Sequence, residues 1–116
     1  MSLDLTMIDE LEDTIGSEAL ASMLTMTLAE MPATMALITV ANAEGDLEKM
    51  RRGIHDMGSN FGSYGGTRLS LHARAIEKAC HENNAREVST LVGALPEIMD
   101  ETLALLRERV PDVKLP

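Results

Sequence analysis

Aromatic side chains are almost absent from this chain. Its 116 residues include no Trp, one Phe and one Tyr, too few for the stacking platforms that bind nucleic-acid bases. Cysteine occurs once, as Cys80, which rules out an internal disulfide. No nearby pattern marks that thiol as activated, so it reads as a small, partly buried apolar residue. Basic charge is scarce: the net charge is −9, which opposes non-specific binding to DNA or anionic membrane. No uninterrupted apolar run approaches the ~18 residues of a membrane span. The opening MSLDLTMIDE has no basic segment followed by an apolar run, so no signal peptide is expected and the cytoplasm is the expected location. Met1-Ser2-Leu3 is compatible with a cloning leader and is given no weight. Phosphate-loop patterns (GxxxxGK[ST], GxGxxG) and a nucleophile elbow are also absent, so ATP binding and serine or cysteine catalysis are not expected.

The chain has no sustained alternation of apolar and polar residues and no strand-flanked Asn-Gly turn, so β-structure is not expected. Apolar residues instead recur at spacings of three and four. Leu5, Ile8, Leu11 and Ile15 give a first short helix over Asp4 to Ile15, stopped by Gly16. Ser17 is the expected cap of a second helix running to about Met31. Its inward residues are Leu20, Met23 or Leu24, Thr27 or Leu28, and Met31. Pro32 then breaks or kinks the chain and starts a helix over Ala33 to Ala43, apolar through Met35, Leu37, Ile38 and Val40. Gly45 ends it, and Asp46 caps the central helix. Thr67 is the expected cap of a helix to about His81, with Leu69, Leu71 or His72, Ala73, Ile76 and Ala79 or Cys80 inward. Asn83-Asn84 makes a turn. A last helix, Ala85 to Val110, is expected to kink at Pro96. The tail 111–116, with two prolines, is expected to fray. At 45% hydrophobic and 25% charged residues, the composition is that of one soluble globular domain spanning 1–116. The expected fold is all-α, an up-down four-helix bundle with one or two short additional N-terminal helices.

The stretch from Asp46 to Gly66, DLEKMRRGIHDMGSNFGSYGG, organises the rest. Leu47, Met50, Ile54, Met57, Phe61 and Tyr64 form one helical stripe. His55 sits about 100° around from it, at its edge. Gly58, Ser59 and Gly62 lie on the same side as the histidine. An interior glycine costs a helix roughly 1 kcal/mol against Ala, so two beside one histidine need a reason. The expected reason is access: a small-residue strip lets a partner's backbone approach the imidazole. Charge is uneven in the same sense. Residues 1–50 carry ten acids and one base, and residues 51–116 nine of each. Within 51–81, Arg51, Arg52, Arg68, Arg74 and Lys78 face only Asp56 and Glu77, a local excess that suits an arriving anion.

This segment resembles the signature of histidine phosphotransfer (HPt) domains. In that family a His is followed by a small or polar residue, an apolar one, Lys, Gly, a run of small residues, an apolar residue and Gly. Met57 and Tyr64 match the apolar positions, Gly62 a small one and Gly65 the closing glycine, and His55 matches the phosphorylated histidine. Two positions depart: Gly58 stands in place of Lys, and Ser59 in place of Gly. The resemblance implies a phosphocarrier in a two-component phosphorelay. His55 would accept and donate a phosphoryl group to and from the aspartate of a response-regulator receiver domain, with a hybrid sensor histidine kinase as a further partner. Gly58, Ser59 and Gly62 would give access or support. Arg51, Arg52 and Arg68 are the candidates for the cationic help that Lys would have given. Such a protein is a carrier without turnover of its own. It needs no cofactor, since Mg²⁺ belongs to the receiver, and it is expected to be a monomer that binds neither nucleic acid nor membrane. The alternative, motivated by Gly58, is an HPt-like docking module that binds a receiver or kinase and regulates it without carrying phosphate. A plain dimerising bundle is weaker still. A metal site is not expected: the chain lacks Glu-x-x-His, and Glu77 and His81 have the wrong spacing for it. His72 is expected to be packed or half-exposed, and His81 solvated.

Overall fold

The structure, a computed structural model, describes residues 3–64 and 66–115, Ser63 by its backbone only. Its helices are α1 (Leu5–Ile15), α2 (Ser17–Ala29), α3 (Met31–Glu44), α4 (Leu47–Ser63), α5 (Thr67–His81), α6 (Ala85–Gly93) and α7 (Leu95–Arg109), with no strand among the described residues. Two junctions are bends rather than ends. Glu30 (φ −82°, ψ −12°) and Ala94 (φ −88°, ψ −11°) stay in the helical region. Each stands two residues before a proline, Pro32 or Pro96, whose missing N–H and bulky ring interrupt the hydrogen-bond ladder. Thus α2–α3 and α6–α7 are two bent rods, and with α4 and α5 they make a helix bundle.

The caps follow the side chains that can make them. Asp4 Oδ1 accepts from Met7 N at 3.2 Å, Asp46 Oδ1 from Lys49 N at 3.0 Å, and Asn84 Oδ1 from Glu87 N at 3.2 Å. Ser17 and Thr67 do not cap as expected. Each is the first helical residue, and Gly16 and Gly66 hold the cap positions without a side-chain bond. The reason is the tightness of the joints. Gly16, at φ 87°, both closes α1 and begins α2, its carbonyl accepting from Leu20 N at 3.0 Å. Gly66 does the same for α5, accepting from Ser70 N at 2.9 Å.

Helix α4 packs on α3 and α5, α5 also meets α6 and α7, and α3 touches α6, so the rods surround one core; α1 lies on α2. Met50, Ile54, Met57 and Phe61 of α4 are buried, as are Leu20, Leu24, Leu28, Ile38, Leu69, Ile76, Leu95 and Leu106 from its neighbours. Where the spacing left alternatives, Leu24 and Leu28 point inward, while Met23 is exposed. Of the apolar residues read along α3, Leu37 and Val40 are 40% and 49% exposed. A helix near the edge of the bundle has only one stripe to bury, and Ile38 and Ala41 fill it. The α2–α3 rod, Ser17–Glu44, is long and apolar enough to pass as a membrane span by length and composition. That departs from the expectation, which counted uninterrupted runs only. In the fold this rod supplies Leu20, Leu24, Leu28 and Ile38 to the core.

Both ends of the chain are more engaged than expected. Leu3 is 2% exposed and belongs to the core. The tail does not fray over its described length. Val110 and Val113 are buried, Val113 N bonds Val110 O at 3.0 Å, and Lys114 N donates to Thr25 Oγ1 at 3.0 Å. The prolines forbid helix but not packing. Arg109, in the last turn of α7, holds α1 through Asp9 at 2.6 Å and Glu12 at 3.2 Å. Ending the chain after Val110 removes the Val113 side chain from the core and the Lys114–Thr25 bond. We expect it to lower unfolding free energy by about 2 kcal/mol in urea titrations; an unchanged midpoint would mean that the tail contributes nothing.

Candidate functional site

Helix α4 starts at Asp46, directly after Gly45, whose left-handed φ of 67° ends α3. Its apolar stripe sinks into the core, and that choice turns His55 outward: the imidazole is 59% exposed. The chain then reverses and runs back as α5. Positions equidistant from Gly66 therefore face each other, and His55 and Glu77 each lie eleven residues from it. His55 Nδ1 lies 3.1 Å and 3.3 Å from the two carboxylate oxygens of Glu77. A carboxylate only accepts, so Nδ1 carries the proton and donates it. The lone pair of the neutral ring is thereby assigned to Nε2. Glu77 is the more enclosed partner, its side chain 24% exposed against 59% for His55, so it anchors the ring.

The two helices approach closely because α4 has no side chain at the contact points. A methyl group at Gly58 would stand 3.1 Å from Ala73 Cβ, and one at Gly62 would stand 3.1 Å from Ser70 Oγ. The space vacated by these glycines is therefore taken up by α5. This changes the expected reason for them: they let α5, within the same chain, come close to the histidine's helix. Ser59, by contrast, is exposed on the rim. His55, Gly58, Ser59, Ser70, Arg74 and Glu77 line one small cleft between α4 and α5, of about 150 Å³. Gly65 lies outside the described residues.

The candidate cations separate. Arg51 donates to Glu48 at 2.7 Å and 3.3 Å, and its charge reaches Glu77 and Cys80 from the same side of α4. The hydrogen bond to Glu48 is the main cause that raises the Arg51 pKa and lowers that of Glu48. Arg52 lies 4.0 Å from Glu48 and lines a different groove, with Leu37 and Lys49, between α3 and α4. Arg68 is paired with Glu101 of α7. It stands nine residues before Glu77 on α5, roughly 13 Å away along the axis. Arg51 is thus near the histidine, and Arg52 and Arg68 are directed elsewhere. Glu77 and Arg74 are the site residues that sequence reasoning did not single out. The signal for Glu77 is the hairpin register about Gly66, which sets it opposite His55.

The other histidines are accounted for. His72 is half-buried and its Nε2 lies 2.6 Å from Leu91 O, which it reaches as a donor. His81 is exposed. Among the described residues no group of three His, Cys, Asp or Glu side chains is placed to hold a metal ion. Cys80 is buried under the Arg51 side of α4, and burial pushes its thiol pKa up, with nearby Arg51 opposing. The thiolate is the reacting form, so iodoacetamide at neutral pH is expected to label Cys80 far more slowly than a model thiol, with full reactivity returning in denaturant. Labelling at the model rate in native buffer would contradict the burial. The helix contact makes a second prediction. Replacing Gly by Ala gains about 1 kcal/mol of helix propensity. Gly62→Ala should keep much of that gain, because Ser70 Oγ can rotate away. Gly58→Ala should lose it, because Ala73 Cβ moves only with α5. Equal thermal stability of the two variants would refute the contact.

The geometry is that of a helix hairpin with one exposed, carboxylate-anchored imidazole beside a cleft. Comparison with known families agrees with it. Residues 22–108, from within α2 through most of α7, match the family model described as the Hpt domain. No curated protein and no solved structure gives a significant match. Hpt domains are helical bundles that carry phosphoryl groups in two-component systems, working with receiver domains and kinases. On the strength of a match over three quarters of its length, the chain belongs to the Hpt domain family.

Proposed function

We propose that this protein is a phosphocarrier whose His55 accepts a phosphoryl group from the aspartyl phosphate of a response-regulator receiver domain and returns it to such a domain. The observation that carries the reading is the His55–Glu77 pair, which leaves Nε2 as the outward nucleophile on a rigid helix. The Nε2 lone pair attacks phosphorus, the N–P bond forms, and the aspartate carboxylate leaves with the electrons of the broken P–O bond. The Nδ1 proton stays in place, so the phosphorylated ring acquires positive character. Glu77, 3.1 Å away, stabilises that charge. Mg²⁺ held by the receiver would supply charge neutralisation for the phosphoryl oxygens. This chain contributes a positioned nucleophile and a docking face, and no turnover.

The test is transfer of label from phosphorylated receiver domains to wild-type protein and to His55→Gln. Label on wild type only, in an acid-labile and base-stable linkage, is the expected result. Equal label on His55→Gln would refute the site. Stable receiver binding with no label on either protein would favour a docking module that carries no phosphate, the reading to which Gly58 points. Glu77→Gln keeps an acceptor for Nδ1–H but removes the charge. It should slow transfer by about tenfold while leaving the label on His55. A rate equal to wild type would show that Glu77 is a bystander.

A further inference from the structure

The position three residues after the histidine carries Lys in the family pattern and Gly58 here, and the close approach of Ala73 explains why a large residue does not stand there. A carrier site still gains from a cation that meets the phosphoryl oxygens. The antiparallel register brings the α5 segment around Ala73 to the level of Gly58. The next residue on α5 is Arg74, and its side chain lines the same cleft as His55.

Of the basic residues within 51–81, Arg74 is the one that lines this cleft; Lys78 is exposed and is not part of its lining. Arg51 is held by Glu48, Arg68 by Glu101, and Lys49 lies 3.6 Å from Glu44. Arg74 is exposed and has no ion pair or hydrogen bond among the described residues. Glu77, one turn along α5, is already committed to His55 Nδ1. A guanidinium on the cleft wall, uncommitted and beside an exposed nucleophile, has the fork geometry that phosphoryl oxygens accept.

We infer that Arg74, reaching across from α5, is the phosphoryl-holding cation of this site and takes over the role that a lysine at position 58 would play. This rests on the phosphocarrier reading. It adds that the cation has moved from the histidine's own helix to the facing one, because the α4–α5 contact leaves no room at position 58.

The test loads the full-length protein with phosphoramidate, which gives its phosphoryl group to the imidazole and releases ammonia. Phosphohistidine is then followed by ³¹P NMR across a pH titration, and transfer from phosphorylated receivers is timed separately. A cation against the phosphoryl oxygens favours their dianionic form. Arg74→Ala is therefore expected to raise the phosphoryl group's apparent pKa by about half a unit or more and to slow receiver-to-His55 transfer by about tenfold. Arg74→Lys should recover most of both. Glu77 and Arg51 also face the group and are unchanged in these variants. Arg107→Ala, on α7, is the charge-matched control and should leave both readouts alone. A titration midpoint and transfer rate in Arg74→Ala equal to wild type would overturn the inference while leaving the carrier reading intact. Wild type that takes label on His72 or His81 but not on His55 would overturn the carrier reading, and this inference with it. Circular dichroism of each variant separates loss of the cation from loss of the fold.

Discussion

The site depends on one contact, the close approach of α4 and α5 across Gly58 and Gly62. Helix axes normally keep 8–10 Å apart because side chains fill the gap. Here α4 presents bare backbone to Ala73 and Ser70, and a methyl group added at either point would stand only 3.1 Å from its neighbour, closer than ordinary van der Waals contact. That closeness lets a glutamate, a medium-length side chain, reach across from α5 and grip the imidazole. Wider spacing would leave Glu77 hydrated and His55 free to rotate. The two glycines lower the intrinsic helix propensity of α4 by about 2 kcal/mol together. Burial of Met50, Ile54, Met57 and Phe61 offsets this comfortably, at about 1.5–3 kcal/mol for each fully buried side chain.

The same contact links local sequence to chemistry. A histidine that faced solvent alone would equilibrate between tautomers and rotamers. Anchored through Nδ1, it presents one nitrogen in one direction. Stability of the bundle and order at the site are therefore not separate matters. The core stripe of α4 sets the rotation of the helix, the rotation sets the exposure of His55, and the α5 contact sets its tautomer. The cation question follows from the same geometry. An α4 that hugs α5 gives up the volume for a long side chain at position 58, so positive charge near the histidine comes from Arg51 and from Arg74.

The remaining architecture serves to keep that hairpin in place. The α2–α3 rod covers one side of α4, with α3 pressing near Gly53, where an added methyl group would meet Leu37 at 2.8 Å. The α6–α7 rod supports α5 from the other side, and the Arg68–Glu101 pair joins α5 to α7. Arg109 fastens α1 to the end of α7. The Leu3 and Val113 side chains close the ends of the core.

By itself the sequence determined the helical class, nearly all helix boundaries, the apolar stripe of α4 and the position of the one histidine with an unusual neighbourhood. These follow from local rules: periodicity, caps and the conformations open to glycine and proline act over a turn or two, and the linear chain displays them. Gly45, Asp46, Asn84 and the bends before Pro32 and Pro96 were legible for that reason. The tertiary structure alone decided what the local pattern left undetermined. It turned Gly58 and Gly62 toward α5, exposed Leu37 and Val40, buried Leu3 and Val113, sent Arg68 to Glu101, and brought Glu77 to His55 across 22 residues. Each of these outcomes depends on which helix lies beside which, and at what rotation. That is fixed by the packing of the whole core, and no window of neighbouring residues contains it.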